Sequence, residues 1–356
     1  VIDVALWGTG NMGRAAARAV LAHPELRLAE VVVHSPDKVG RDAGEVLGLG
    51  RELGVACTDD TSVVGRVGAV AYMASGDIRP DAAAADIAGC LAAGASVVSP
   101  ALYALYDPLS APPELVGPLR DAAAAGGGSL FVSGVDPGWG NDLLPVLASG
   151  LCASVTSVRC QELFDYSTYD QPDAVRHLVG MGGSMDSVPP MVLPGVPTMV
   201  WGSSIRLMAR GLGWAVTEIR ETLERRPLEA TVTNRLGTFE AGTQGALRFE
   251  VQGIVDGEAA IVVEHVTRID PTCAPDWPQP ASGAGSHRVI LEGSPRLEIT
   301  VEAEEEDGNR AAGGNATAAA RLVRAIPWLR AAPTGIYDAL DVPLTPLGGP
   351  RWGGHR

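Results

Sequence analysis

Three glycines near the amino terminus carry the first chemistry that can be read in this chain. Gly8, Gly10 and Gly13 are spaced as GxGxxG within VIDVALWGTGNMGRAAARAV, where a strand-like run passes into an alanine-rich one. In that setting each position has a physical reason. Gly8 permits a tight turn, Gly10 lets main-chain N–H groups approach a pyrophosphate, and Gly13 allows a helix to lie close to its strand. The first turn of that helix, with Thr9, Asn11 and Met12 around it, would face the anion with unpaired donors. A dinucleotide is therefore expected here.

The end of the next strand bears on which dinucleotide. A carboxylate there hydrogen-bonds the ribose 2′-OH of NAD and repels a 2′-phosphate. Here EVVV is followed by His34, Ser35, Pro36, Asp37 and Lys38, with Arg41 close behind, so His34 or Ser35 takes the usual carboxylate position. A hydroxyl, the only lysine of the chain and an arginine suit a 2′-phosphate. The expected cofactor is NADP(H), with NAD(H) kept as the alternative because of Asp37.

Hydride transfer to a C=N or C=O bond also needs a proton donor or a preformed cation. Tyr103 and Tyr106, in SPALYALYDP, follow a strand's carboxyl end, where doubly wound sheets bind ligands. Tyr103 is a candidate acid and Tyr106 a substrate contact; an aromatic wall is the alternative for both. Tyr166 and Tyr169, in FDYSTYD, are candidate substrate contacts, with loop packing as the rival reading. His177, beside a Gly/Met/Pro-rich loop, is a second catalytic candidate, whereas His265, alone in VVEHVTR, reads as a structural residue. The five cysteines have no close metal-ligand spacing, so reduced thiols and no metal are expected. Neither GxSxG nor HExxH occurs, which leaves hydrolase chemistry without support.

The elements that must hold these residues fall into two textures. The first third alternates β-branched runs (VIDVALW, LAEVVVH, AVAYM, ASVVS, SLFVSG) with helical stretches at Met12–Leu21, Pro80–Ala93 and Pro113–Ala125. That alternation specifies an α/β, doubly wound parallel sheet. Beyond GVDPGWGNDLLPVLA come long Val/Ile/Thr runs with charged alternation, including a hairpin at Val255-Asp256-Gly257-Glu258, which indicate an α+β domain on a mostly antiparallel sheet. The expected division is 1–138, 139–312 and a C-terminal segment 313–356, whose helix, in GGNATAAARLVRAIPWL, returns to the first domain. The loop HLVGMGGSMDSVPPMVLPG is either a lid or a connection, Cys273 to Gly285 a surface excursion, and PLGGPRWGGHR a loosely held tail.

At 356 residues the chain exceeds the roughly 250 to 300 that one core supports, so two cores are expected. The formal net charge of −15 repels nucleic acid and anionic lipid, and those partners are not expected. Apolar runs are short and no leader pattern opens the sequence, so a cytoplasmic protein with a small-molecule substrate is the expectation.

WGTGNMGR, HSPDKVGRDAGEVLGLG, SGVDPGWGNDLLP and GNATAAARLVRAIP together resemble the dihydrodipicolinate reductase-like oxidoreductases, in the branch of 2,4-diaminopentanoate dehydrogenase and the native amine dehydrogenases. The resemblance implies a Rossmann domain, a second domain whose sheet often builds a homodimer, and a substrate between the two. It implies a nicotinamide near Val135, Asp136, Pro137 and Gly138, with Val135 and Pro137 as cofactor contacts; Trp139, beside them, is expected to pack near the nicotinamide and is a candidate substrate contact. It implies reduction of a C=N bond or the reverse oxidation of an amine. Two departures stand out. The His-His and Lys-rich motif of the dipicolinate reductases is missing, and the catalytic Glu of the amine-dehydrogenase branch falls on Leu102 and Tyr103. A ketone or aldehyde reductase using Tyr103, and a non-catalytic dinucleotide sensor, are the rival readings.

Overall fold

The computed structural model describes residues 1–344 apart from 77–78, 170 and 306–307. The expected tail PLGGPRWGGHR lies outside the described residues. The chain divides into two compact units, one formed by Val1–Gly134 with the segment from Asn315 onward, the other by Val135–Gly314.

The first unit contains β1 (Ile2–Trp7), α1 (Asn11–Ala22), β2 (Leu26–Val32), α2 (Ala43–Val46), β3 (Cys57–Thr58), β4 (Ala69–Tyr72), α3 (Pro80–Ala92), β5 (Ser96–Ser99), α4 (Pro113–Gly126) and β6 (Leu130–Val132). Its sheet runs β3-β2-β1-β4-β5-β6 and adds a final strand, Ile336–Tyr337, with every pairing parallel. β4, β5 and β6 are buried along their whole length, because helices cover both faces of a parallel sheet. α3 and α4 open with proline, whose fixed φ suits a first helical turn; α4 stops at Gly127, which takes the left-handed conformation at φ 78°. One face of the sheet packs Val4 and Leu6 against Ala16 and Val20 of α1 and against Leu322, Val323 and Ile326 of the C-terminal helix Arg310–Ala331. The other face packs Val70 and Tyr72 against Ile87 and Leu91 of α3 and Leu119 of α4. Strand order reverses between β1 and β4, and the crevice at such a switch point is where ligands bind.

The second unit contains α5 (Leu143–Ser149), β7 (Ser154–Asp165), α6 (Val196–Leu212), β8 (Glu218–Pro227), the small hairpin β9 (Val232–Asn234) and β10 (Gly237–Phe239), β11 (Gln244–Val255), β12 (Glu258–Arg268), β13 (Gly285–Ser294) and β14 (Leu297–Val301). The six-stranded sheet runs β14-β13-β7-β12-β11-β8. It is antiparallel except for β7 beside β12. The β11–β12 hairpin turns on Asp256 and Gly257, both at positive φ (50° and 86°), the conformation that Asp-Gly pairs favour. One face buries Val158, Cys160, Phe249, Val251, Val263 and Leu291 beneath Ile205 and Met208 of α6. The opposite face is a grid of charges, in which Arg159 lies 2.6 Å from both Glu250 and Glu264, and Arg248 lies 2.8 Å from Glu264.

One loop takes the second of its two expected roles, and another departs from expectation. The stretch after His177 is packed down, with Val179, Met181 and Val192 in the unit's core and Gln244 donating from Nε2 to the Val179 carbonyl at 2.9 Å. Such anchoring belongs to a connection rather than a lid. Cys273 to Gly285 is not wholly a surface excursion: Trp277 and Ala274 bury against Leu163, Ala246 and Val266, and Arg268 donates to the Cys273 and Ala274 carbonyls. All five cysteines are unpaired thiols, with Cys57, Cys90 and Cys160 buried.

Candidate active site

The glycine turn of the first unit has the stereochemistry a pyrophosphate requires. Gly8 sits at φ 102°, and a Cβ there would press to 3.0 Å on the backbone of Met73 and Ala74. At Gly13 a Cβ would lie 2.1 Å from the Gly8 carbonyl oxygen, so only glycine lets α1 start this close to β1. Around Gly10, in contrast, a Cβ would meet nothing within 4 Å. The turn is thus closed on its protein side and open on the side from which an anion would approach. α1 has no acidic residue in its first turn and no side-chain cap, so its positive end is not neutralised from within. These features fit a dinucleotide.

Around the turn, Lys38 donates to Thr9 Oγ1 at 3.1 Å, which brings the lone lysine to the glycines. His34 Nε2 accepts from Trp7 Nε1 at 3.4 Å, and Ser35 caps the single 3-10 turn Pro36–Lys38. Arg41 pairs instead with Glu45 at 2.7 Å, one helical turn further on. The two cations expected from sequence thus meet different partners, Lys38 at Thr9 and Arg41 at Glu45.

In the second unit, register builds a row of side chains on the helix-covered face of the sheet. Phe249 of β11 is opposite His265 of β12, His265 is opposite Glu162 of β7, and Glu162 is opposite His287 of β13. Asp136, on the segment leading to α5, meets this row. His265 directs Nδ1 to Glu162 Oε2 at 3.0 Å and Nε2 to Asp136 Oδ1 at 3.1 Å, the latter at ion-pair range but off the line of a hydrogen bond. Asp136 Oδ1 also accepts from Trp201 Nε1 at 2.6 Å and Asn141 Nδ2 at 2.5 Å, and its Oδ2 is 4.0 Å from His287 Nδ1. The His265 ring stacks on Phe249 with centroids 4.6 Å apart, and Trp201 tilts over it at 4.4 Å.

Electrostatics make His265 a resident cation. Burial alone would push its imidazole down, but Asp136 and then Glu162 outweigh burial and raise it to about 10. Burial would likewise raise the carboxyl of Asp136, yet His265, aided by His287 and Trp201, holds it below the ordinary range. Two aromatic faces add cation–π attraction for the imidazolium. Asp136, Glu162 and His265 also have the composition of a metal site. However, the ring offers a different nitrogen to each carboxylate, so the imidazolium occupies the position an ion would take.

The other sequence candidates divide between the units. Tyr166 and Tyr169 stack at 4.7 Å just past β7; burial, followed by the charge of Glu162, pushes the Tyr166 hydroxyl well up. Trp139 lies against His287 at 6.4 Å, and Val135 and Pro137 flank Asp136 in the same turn. Tyr103 and Tyr106 share a 3-10 turn after β5 in the first unit; the ring of Tyr106 is buried and its hydroxyl donates to the Pro100 carbonyl at 3.1 Å. Leu102 before them holds φ 69°, a left-handed conformation rare for a branched residue. His177 is exposed on a π-helical turn, Ala174–Leu178. In sequence Glu162 and His287 carry no motif, Asp136 enters only through the segment expected near the nicotinamide, and His265 stands alone in VVEHVTR; strand register is what joins them.

Comparison with known proteins places this arrangement. Residues 141–347 match the 2,4-diaminopentanoate dehydrogenase C-terminal domain, and residues 2–73 match the N-terminus of dihydrodipicolinate reductase. An amine dehydrogenase from Streptomyces virginiae is 62% identical over 350 residues, covering 97% of each chain. The chain belongs to the amine dehydrogenase branch of the dihydrodipicolinate reductase-like oxidoreductases. Within that family, 2,4-diaminopentanoate dehydrogenase from Acetoanaerobium sticklandii is 27% identical over 252 residues, 70% of this chain and 67% of that protein. The fold is shared with amine dehydrogenase from Mycobacterium smegmatis, at TM-score 0.76 and 21% identity over 96% of both chains. Membership implies a nicotinamide dinucleotide, as the glycine turn does.

Proposed function

We propose that this oxidoreductase oxidises the carbon–nitrogen single bond of a small primary amine and, in reverse, reduces the C=N bond formed from a ketone and ammonia. The observation that carries the reading is a glycine turn open only at Gly10, in a chain 62% identical along its length to an amine dehydrogenase. A bound nicotinamide supplies the acceptor or donor of hydride. Gly8, Thr9, Gly10, Asn11 and Gly13 hold its pyrophosphate, and the resident imidazolium with its two carboxylates gives the second unit a net negative site suited to an ammonium or iminium group. Titration with NADPH and NADH, followed by a screen of amines, and of ketones with and without ammonia, tests this. Binding without turnover of any amine or ketone would leave a dinucleotide sensor.

The preferred coenzyme in this reading is NADP(H), with Ser35 and Lys38 meeting the 2′-phosphate. NAD(H) is the second reading, favoured by the commitment of Arg41 to Glu45. With one cation in place of two, discrimination is expected to stay within about tenfold, the scale of one charge-assisted contact. The charged face of the second sheet, where Glu264 is only 1% exposed among arginines, is proposed to meet a second copy in a homodimer; light scattering on the purified protein checks this. Among the described residues no helix is long and apolar enough to cross a membrane, in keeping with the proposed cytoplasmic location.

A further inference from the structure

We propose that Glu162 is the base that takes a proton from the substrate ammonium, and that His265 and Asp136 are positioning residues that hold it for that step. The proposal rests on the amine dehydrogenase reading and deepens it.

The three groups differ in what they leave available. Asp136 is 4% exposed, and one of its oxygens already faces Trp201, Asn141 and His265. His265 is 6% exposed, with each ring nitrogen turned to a carboxylate. Glu162 is 19% exposed; its Oε2 faces His265, while Oε1 has no hydrogen-bond partner among the described residues. One end of the chain of charges is therefore sealed in the protein and the other presents a carboxylate oxygen. This is the general pattern of a base oriented by a second group that is itself fixed by a third.

The surroundings hold the arrangement in one protonation state. Around His265 and Glu162 stand Asp136 from the segment entering α5, Cys160 on β7, Tyr166 just past β7 and His287 on β13, while Asp142 acts on Cys160. Burial pushes Cys160 and Tyr166 up, so both stay protonated near neutrality. Two carboxylates thus share one imidazolium, and Glu162 is the more exposed of the two, so it is the one that can meet an ammonium.

The proton balance requires such a group. Conversion of a primary alkylammonium and an oxidised nicotinamide into the corresponding iminium and a reduced nicotinamide releases one proton. The ammonium N–H bond breaks with its proton passing to the Glu162 carboxylate, the nitrogen lone pair so freed forms the C=N bond, and the pair of electrons in the adjacent C–H bond leaves with hydrogen as hydride. In reverse, Glu162 returns that proton to the nitrogen. An N,N-dialkyl iminium has no N–H to exchange and needs hydride alone.

The test compares wild type with Glu162→Gln and Glu162→Asp in three measurements. These are amine oxidation with ketone amination, reduction of a preformed N-methyl-1-pyrrolinium salt, and coenzyme binding by fluorescence titration. Glu162→Gln is expected to lower the first by about a hundredfold or more, the usual yield of a positioned base, to lower the second by no more than about tenfold through loss of one negative charge, and to leave the third unchanged. Glu162→Asp should recover part of the loss. The nitrogen NMR spectrum of His265 should show both ring nitrogens protonated near neutral pH in wild type and a neutral ring in Asp136→Asn. Equal slowing of both substrates by Glu162→Gln, slowing of neither, or a neutral His265 in wild type would overturn the assignment. A wild-type protein that binds coenzyme but converts no amine or ketone would overturn the functional reading beneath it.

Discussion

The glycine turn of the first unit and the charged row of the second solve recognition in opposite ways. The turn relies on missing side chains: within six consecutive residues, Gly8 and Gly13 are glycine because backbone fills the space, and Gly10 because its space must stay open. The row relies on side chains alone, brought from β7, β11, β12, β13, α6 and the segment before α5. A site made of main chain is local in sequence and its spacing gives it away. A site made of side chains depends on strand register and leaves no spacing to read.

Substitutions can break or sharpen this contrast. The largest effect is expected at Asp136: Asp136→Asn leaves the buried imidazolium without its principal counter-charge, and loss of one partner from a buried pair costs about 3–5 kcal/mol. Chemical denaturation should show this loss with coenzyme binding by the first unit retained. Gly13→Ala comes next, since its Cβ would sit 2.1 Å from the Gly8 carbonyl oxygen. A shift of the turn costing about 1–3 kcal/mol is expected, together with loss of coenzyme binding by titration.

A pH series gives the next effect. His265 is raised from 6.5 to about 10 on folding, so its contribution to stability is complete below pH 6.5, declines above it and is gone once pH passes about 10. Asp136, held low, contributes above its ordinary value of 3.8 and loses that contribution as pH falls through its folded value. Thermal melts of wild type should therefore fall on the alkaline side, and His265→Asn should flatten that limb. The smallest effect is expected for Lys38→Ala, a weakening of NADPH binding by about tenfold or less, with NADH binding unmoved, measured by parallel titrations. Equal weakening of both would place Lys38 at the pyrophosphate through its contact with Thr9.

The same contrast explains what sequence could reveal. Apolar runs, proline starts and glycine stops located α1, α3, α4 and the strands β1, β2, β4, β5 and β6 to within a residue or two, because those signals act over single turns, whereas Cys57–Thr58 and Ile336–Tyr337 are too short to carry one. The Asp256-Gly257 turn was legible for the same reason. The parallel contact of β7 with β12 was not, since almost a hundred residues intervene and alternation is identical in either direction. His265 looks solitary in VVEHVTR; only the register that sets it beside Glu162 and beneath Asp136 turns it into a cation. Arg41, placed after β2 where a 2′-phosphate would lie, also has Glu45 four residues ahead as an exposed partner.

The first unit is discontinuous: Leu322, Val323 and Ile326 complete a core begun by Val4 and Leu6. On a ribosome the half that carries the glycine turn must therefore wait, its hydrophobic sheet face bare, until Ile326 has been made. Val135–Gly314 has all its described strands slightly sooner, once Val301 has been made. The half that is translated first is the last to close, and a nascent chain halted after residue 314 would expose the apolar surface that chaperones recognise.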